Sequence, residues 1–130
     1  MTPATNTDME YRIRRSKEAR EEAKIALNDN RILLAANSIY YSMYYIVSAL
    51  ALKNSFVTSS HRKLLSWFNK NFIHSKILPG KICKIYSKAF YVRQERDLEE
   101  MVEYPREKIE QKFNDMILFV ETVEKLISNE

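Results

Sequence analysis

The sequence predicts an all-α protein, an up-and-down bundle of four or five helices. Apolar residues recur at helical spacing along almost the whole chain, and the two-residue alternation of a half-buried strand is absent. Gly80 is the only glycine and there are three prolines, so the turns of a β-sandwich or barrel have few residues to form them. With 130 residues, the chain is predicted to fold as a single domain around one core.

The first predicted helix begins near Thr7 and presents a narrow face of small residues. The polar run Asn28-Asp29-Asn30 ends this helix and is expected to supply the N-cap of the next one. Such a short connection makes the first two helices antiparallel neighbours. The inner face of the first helix is expected to contain Ile13, Ser16, Ala19, Ala23 and Ala26.

The second predicted helix extends from Arg31 to Lys53 and has no charged residue between these ends. Apolar groups occupy nearly its full circumference, so we expect it to be the central helix of the bundle. Its length would also cross a bilayer, but a spanning helix keeps tyrosine for the interfaces. Here Tyr40, Tyr41, Tyr44 and Tyr45 lie in the middle. We therefore predict a buried helix with no membrane association, and tyrosines that pack in the core in preference to stacking on bases.

Two shorter helices follow a polar connection. Ser59 or Ser60 can cap a third helix, 61–73, and the Pro79-Gly80 pair marks the break before a fourth helix, 81–96. The third helix is expected to bury Leu64, Leu65, Phe68 and Phe72, and the fourth Ile82, Ile85, Ala89 and Val92.

The last predicted helix is opened by Pro105, because proline is favoured at a first helical position. Its apolar residues keep a four-three rhythm that forms one continuous inner face. They are Ile109, Phe113, Met116, Val120, Val123 and Ile127.

The residue types exclude several kinds of site. A single glycine cannot build a phosphate-binding loop or a dinucleotide fingerprint. Cys83 is the only cysteine, so we expect no intramolecular disulfide, a core position for this residue and a reducing, cytoplasmic setting. His61 and His74 are the only histidines, and neither has a metal-ligand spacing to Cys83, so we predict no metal and no cofactor. The N-terminus lacks the order of charges and apolar residues of a secretory signal.

Charge is unevenly distributed along the chain. Between Asn30 and Gln94 there are ten Lys or Arg residues and no Asp or Glu, whereas the residues from Glu95 onward are acidic overall. Such a basic stretch suits phosphate groups or an acidic protein surface. A solvated lysine face, or one neutralised by the acidic last helix, would produce the same pattern.

Four stretches of sequence, in order, are NSIYYSMYYIVSALAL, SSHRKLLSWFNKNFI, a KI-P-G-type break and VRQERDL. Together they resemble the HEPN domain of prokaryotes from roughly Asp8 to Ile127, in the branch with an Arg-x-x-x-Asp-Tyr-like motif. This resemblance implies a helical bundle paired as a homodimer, found in toxin–antitoxin and phage-defence systems. It also implies that a small nucleotidyltransferase is often encoded alongside as a partner.

Many HEPN proteins are metal-independent RNases whose motif is an arginine followed, after four to six residues, by a histidine. The arginine would hold the scissile phosphate and the histidine would move protons. Arg93 matches the arginine, but Leu98, Glu99 and Glu100 stand where the histidine is expected. The resemblance therefore implies a degenerate RNase motif, Arg93-x-x-x-Asp97, with Leu98 in place of the usual tyrosine.

Two interpretations of Arg93 and Asp97 stay open at this point. Four residues apart on one helical face, they can form an ion pair. Alternatively, Asp97 orients Arg93 as a phosphate ligand in a dimer cleft. His61 and Arg62 likewise either orient the start of the third helix or contact nucleic acid. The residues expected to bind RNA or a nucleotide are Arg93, Arg62, His61, Lys63 and Lys88.

We therefore expect a homodimeric protein of the HEPN type that binds RNA or a nucleotide and has little or no RNase activity. Arg93 and Asp97 are the catalytic candidates if cleavage remains. The alternatives are a protein-interaction module that docks a nucleotidyltransferase partner, and an RNase with a non-standard base such as Glu99 or Glu100.

Overall fold

A computed structural model describes residues 6–94 and 105–128 of the chain, and these form five α-helices and no strand. The helices are α1 (Asn6–Asn28), α2 (Ile32–Lys53), α3 (His61–Phe68), α4 (Gly80–Gln94) and α5 (Arg106–Ser128). A π-helical turn, Asn69–Ile73, continues α3. The predicted all-α class is confirmed. The helix ends that lie within the described ranges are close to their predicted positions, whereas the predicted end of the fourth helix at residue 96 lies outside the described residues.

The first two helices pack closely along a face of small residues. The Ser16 hydroxyl donates to the Ser42 carbonyl oxygen at 2.7 Å, and the Ser42 hydroxyl donates to the Ser16 carbonyl oxygen at 2.9 Å. These reciprocal bonds satisfy two buried hydroxyls and tie the helix backbones together. The predicted face of α1 is confirmed, with Ile13 half-buried and Ser16, Ala19, Ala23 and Ala26 buried.

The turn between α1 and α2 differs from the prediction. Asn30 adopts a left-handed conformation with φ of 59°, and the Arg31 N–H donates to the Ala26 carbonyl oxygen at 2.8 Å. This pattern closes the C-terminus of α1, a role that asparagine fills because it tolerates positive φ. The residue at the N-cap of α2 is Arg31, which makes no side-chain capping bond, so the expected asparagine or aspartate N-cap was wrong.

The central position of α2 is confirmed, because it contacts each of the other four helices. At its C-terminal end, the Lys53 Nζ donates to the carbonyl oxygens of Leu126, at 3.0 Å, and Ile127, at 2.5 Å. Lys53 thereby binds the negative end of the α5 dipole. Among the helices that the structure describes, α2 included, none combines the length and the apolar character needed to cross a membrane.

The start of α3 is capped as predicted, since the Ser60 hydroxyl accepts a hydrogen bond from the Lys63 N–H at 3.1 Å. The π-helical turn was not predicted. It widens the helix at Asn69, whose carbonyl oxygen accepts from the His74 N–H at 3.0 Å. The predicted inner residues Leu64, Leu65, Phe68 and Phe72 are all buried.

The inner face of α4 is rotated from the predicted one. The buried residues of this helix are Ile82, Cys83, Tyr86 and Phe90, whereas Ile85, Ala89 and Val92 are half-buried. Of the predicted face only Ile82 is correct. Helix α4 has two adjacent apolar faces, and the core takes the one with the larger aromatic side chains because these bury more surface.

The last helix begins at Arg106, directly after Pro105, whose carbonyl oxygen accepts from the Lys108 N–H at 3.0 Å. Pro105 therefore lies one position before the first helical residue, whereas the prediction placed it at that residue. The predicted inner face is confirmed, with Phe113 half-buried and Ile109, Met116, Val120, Val123 and Ile127 buried. Phe119, which was not predicted, is also buried.

Candidate functional site

His61, the first residue of α3, is held against the tyrosines of α2. Its imidazole stacks on the Tyr44 ring, with centroids 4.1 Å apart and planes 10° apart. Its Nδ1 is hydrogen-bonded to the Tyr40 hydroxyl at 2.7 Å. Tyr40 is 2% exposed and Tyr44 is 9% exposed, so both rings belong to the core as predicted. These contacts fix the direction in which α3 leaves the connection from α2.

Tyr86 on α4 extends this aromatic cluster into the centre of the bundle. Its ring centroid lies 6.3 Å from that of Tyr40. Burial, with smaller contributions from Tyr40 and Tyr44, raises the pKa of Tyr86 well above its ordinary value. Burial also raises the pKa of Tyr44. The cluster therefore keeps neutral phenols at its centre.

Arg62 connects the start of α3 to the end of α4. Its guanidinium carbon lies 5.5 Å from the centre of the Phe90 ring, a cation–π contact. Phe90 precedes Arg93 by three residues, which is one helical turn. Arg62 therefore lies beside the α4 turn that leads to Arg93. Lys63, the next residue of α3, is exposed.

The structure describes only part of the predicted Arg93-x-x-x-Asp97 motif. Arg93 belongs to the last turn of α4 by its backbone. Its side chain lies outside the described residues, as do Asp97, Leu98, Glu99 and Glu100. The ion-pair and phosphate-ligand interpretations of Arg93 and Asp97 therefore both stand as predictions.

A concave groove, here called the α4–α5 groove, lies between α4 and α5 with α2 as its floor. Its cavity volume is about 550 Å³, within the range of ligand and peptide sites. The aliphatic part of the lining comes mainly from α2, with Ile39 and Met43, and from α4, with Ala89 and Val92. The lining residues of α5 are polar except for Leu118. The half-buried face of α4, predicted to be core, is thus one wall of this groove.

Four lysines are among the residues that line the groove, three of them exposed and one half-buried. They are Lys81, Lys84, Lys88 and Lys112. The pKa of Lys112 is lowered from its ordinary value, first by burial and next by the charge of Lys88, while Asp115 acts in the opposite direction. In the part of the chain that the structure describes, Asp115 is the carboxylate that lines the groove. The groove therefore combines an aliphatic floor with a positive rim.

The predicted binding residues fall in two places. His61, Arg62 and Lys63 lie at the N-terminus of α3, beside the turn that leads to Arg93. Lys88 lies in the α4–α5 groove, on another face of α4 from Phe90. The groove itself was not predicted, because Lys112 and Leu118 are on a helix of nearly balanced acidic and basic residues, where neither basic charge nor an apolar patch stands out.

Cys83 is fully buried, as predicted, and burial raises the pKa of its thiol to about 11. The thiol is therefore protonated at neutral pH and is a poor nucleophile. In the two described ranges, no group of three His, Cys, Asp or Glu side chains is close enough to hold a metal ion.

Comparison with known proteins identifies the family. A model of the HEPN domain matches residues 9–126 of this chain. The chain belongs to the HEPN domain family. It is also 33% identical over 121 residues to a "UPF0332 protein" of Thermotoga maritima, an alignment that covers 93% of this chain and 92% of the relative. A second relative, named "Putative toxin" in Methanocaldococcus jannaschii, is 26% identical over 120 residues, with 92% of this chain and 82% of the relative covered.

The HEPN assignment confirms the predicted resemblance. The match does not test individual residues, so the assignment of Arg93 as the motif arginine stays a prediction. It does not supply the missing histidine, since Leu98, Glu99 and Glu100 occupy the corresponding sequence positions. The surface formed by the start of α3 and the end of α4 holds most of the predicted binding residues and is the candidate functional site.

Proposed function

We propose that this HEPN-domain protein binds RNA or a nucleotide at the surface where α3 begins and α4 ends, and that it has little or no RNase activity. We further propose that it acts in a toxin–antitoxin or defence system, as the name of the M. jannaschii relative supports. The observation that carries the binding proposal is the contact of Arg62 with Phe90, one turn before Arg93.

Electrostatics favours a phosphate near α3 over one on the axis of α4. The N-terminus of α3 carries the positive end of a helix dipole, and Arg62 and Lys63 lie in its first turn. The C-terminus of α4 carries the negative end, so Arg93 would have to reach a phosphate by its side chain. A phosphate held at the start of α3 would lie at the positive end of this dipole and beside Arg62, which contacts the α4 turn before Arg93.

His61 has a positioning role in this proposal. Its stacking on Tyr44 and its hydrogen bond to Tyr40 set the orientation of α3. Arg62 and Lys63 follow it directly in the chain and are carried by the same helical turn. We propose that the protein acts as a homodimer, with the α3–α4 surfaces of two copies contributing to one cleft.

The first experiment measures RNA binding in EDTA by fluorescence anisotropy, with a labelled single-stranded RNA of about 20 nucleotides. We expect Arg62→Ala and Arg93→Ala each to weaken binding about tenfold, the usual effect of losing one charged phosphate contact. We expect the matched control Arg14→Ala, an exposed arginine of α1, to bind as wild type. Affinity should also fall as salt concentration rises.

The same samples, run on a denaturing gel, test the activity part of the proposal. Intact RNA after incubation with wild type supports binding without cleavage. Cleavage that disappears in Arg93→Ala would instead show an RNase with a non-standard base. Equal affinities for wild type, Arg62→Ala and Arg93→Ala would reject the α3–α4 surface as the binding site. A separate measurement, sedimentation velocity, tests the proposed homodimer.

A further inference from the structure

We propose that the α4–α5 groove binds an acidic amphipathic helix of a partner protein. This inference is independent of RNA binding, because the groove lies on a different face of α4 from the Phe90 contact of Arg62. The floor and both walls of the groove are helices, so an inserted helix would add a further member to the bundle. It would cover the side of α2 that faces the groove.

The dimensions of the groove suit a helix of about three turns. The α4 wall extends from Lys81 to Val92, and eleven steps of helix correspond to about 16 Å. Leu118, in the α5 wall, is 45% exposed and offers an apolar contact at the groove edge. Leu33 is 39% exposed and lies one helical turn before Ala36, which lines the floor. An elongated apolar strip of this kind fits side chains spaced three and four residues apart.

The charges of the rim specify an acidic occupant. Among the described residues that line the groove, there are four lysines and one carboxylate, that of Asp115. Glutamates on the flanks of an inserted helix would lie near these ammonium groups while its leucines contact the aliphatic floor. The lowered pKa of Lys112 supports this, since a neighbouring carboxylate would offset both its burial and the repulsion from Lys88.

The same features disfavour two other occupants. A second copy of the chain, related by a two-fold axis through the groove, would bring the lysine rims of the two copies together. Among the described lining residues a nucleic acid would find no open aromatic face, because the aromatic one, Tyr40, is 2% exposed. An acidic amphipathic helix meets both the aliphatic floor and the positive rim.

The test uses a fluorescein-labelled peptide of about 15 residues, with leucines at helical spacing on one face and glutamate and alanine elsewhere. Binding to the full-length protein is followed by anisotropy. We expect the double variant Lys84→Glu/Lys88→Glu to weaken binding at least about tenfold, since it replaces two attractive charges by repulsive ones. The matched control Lys24→Glu/Lys70→Glu reverses two exposed lysines outside the groove and should bind as wild type.

Two further comparisons test the shape of the site. Leu118→Glu should weaken peptide binding about tenfold without unfolding the protein, because the side chain is already partly exposed. A peptide of the same composition with its leucines spread around the helix, and one with lysine in place of glutamate, should each bind at least tenfold more weakly. Leu118→Glu should keep the RNA affinity of wild type, which separates this inference from the proposed RNA site.

Several outcomes would overturn the inference. These are no measurable binding of the acidic amphipathic peptide, equal binding of the rearranged peptide, or an equal loss of binding in the Lys24→Glu/Lys70→Glu control. A dimer in sedimentation velocity that dissociates in Lys84→Glu/Lys88→Glu would show that a second copy occupies the groove.

Discussion

Individual buried polar groups decide how the helices of this protein are aligned. Ser16 and Ser42 exchange hydrogen bonds between α1 and α2, and Tyr40 binds His61 between α2 and α3. A buried donor or acceptor that loses its partner destabilises a fold more than the formed bond stabilises it. These pairs therefore exclude helix alignments that would leave a hydroxyl or imidazole nitrogen unsatisfied.

We predict that Tyr40→Phe lowers the free energy of unfolding by about 1–2 kcal/mol, because it removes the partly buried bond to His61 Nδ1 and leaves the ring packing intact. Urea denaturation measures this change. Tyr11→Phe is the control, since Tyr11 is 49% exposed and should be neutral. A Tyr40→Phe variant as stable as wild type would show that the bond does not stabilise the start of α3.

Cys83 makes a pH-dependent contribution to stability. Its folded-state pKa of about 11 exceeds the ordinary value of 9.0, so the folded state resists loss of the thiol proton. The resulting stabilisation is complete below pH 9 and is lost as the pH rises from about 9 to 11. We predict that wild type loses stability relative to Cys83→Ala over this range. Urea denaturation of both proteins at pH 8 and at pH 10.5 tests this, and a constant difference would contradict it.

At the scale of helices, the ends of α1 and α5 are bound by long basic side chains from elsewhere in the chain. Lys53 donates to the last carbonyls of α5, and Arg106 Nη1 donates to the Leu27 carbonyl oxygen at 2.8 Å. Both cations lie at helix C-termini, where the dipole favours positive charge. The long helices α1, α2 and α5 are thus joined at both ends of the bundle.

We predict that Lys53→Met destabilises the protein by about 1–2 kcal/mol, because two charge-assisted hydrogen bonds to α5 are lost while the aliphatic stem is kept. Thermal unfolding followed by circular dichroism should show a lower Tm. Lys125→Met, which removes an exposed lysine from the last turn of α5, serves as the control. Equal Tm values for the two variants would mean that Lys53 stabilises the protein no more than an exposed lysine does.

The core is continuous across the whole molecule. A single cluster of buried apolar residues includes members of all five helices. Trp67 packs against this cluster, stacked on Phe56 with ring centroids 5.4 Å apart and in edge contact with Phe72 at 5.6 Å. One shared core favours a cooperative transition for a chain of this size.

We predict that urea unfolds the whole chain in one step. The fluorescence of Trp67, the only tryptophan, reports on the packing around α3, whereas far-ultraviolet circular dichroism reports on all helices. The two curves should coincide in midpoint and slope. Loss of Trp67 fluorescence at a lower urea concentration than loss of helix would show that α3 unfolds separately, contrary to a single domain.

The sequence was sufficient for the class of fold and for the burial pattern of four helices. The small face of α1, the apolar circumference of α2 and the four-three rhythm of α5 follow from neighbouring residues, so local pattern predicts them. Capping by Ser60 was likewise a local property. The N-cap of α2 was wrong because Asn30 can also close α1, and the choice depends on how both helices enter the turn.

For the candidate site, the sequence supplied the residues and the fold supplied their grouping. Arg62 and Arg93 are far apart in the chain, and the contact with Phe90 brings the turns that carry them together. Lys88 was assigned to the same set on charge alone, yet it lines the α4–α5 groove. The charge of a residue does not show which side of its helix will face which neighbouring helix, because the sequence alone does not give the positions of those helices.

By itself, the sequence determined a helical bundle with α2 at its centre and a basic middle section, because periodicity, capping and composition are properties of short stretches of chain. Only the tertiary structure decided the rotation of α4. Either of its two apolar faces could have entered the core, and packing of Tyr86 against Phe68 and Phe119 of distant helices selected one of them. The remaining face then formed the wall of a groove with a positive rim, which no local pattern could have indicated.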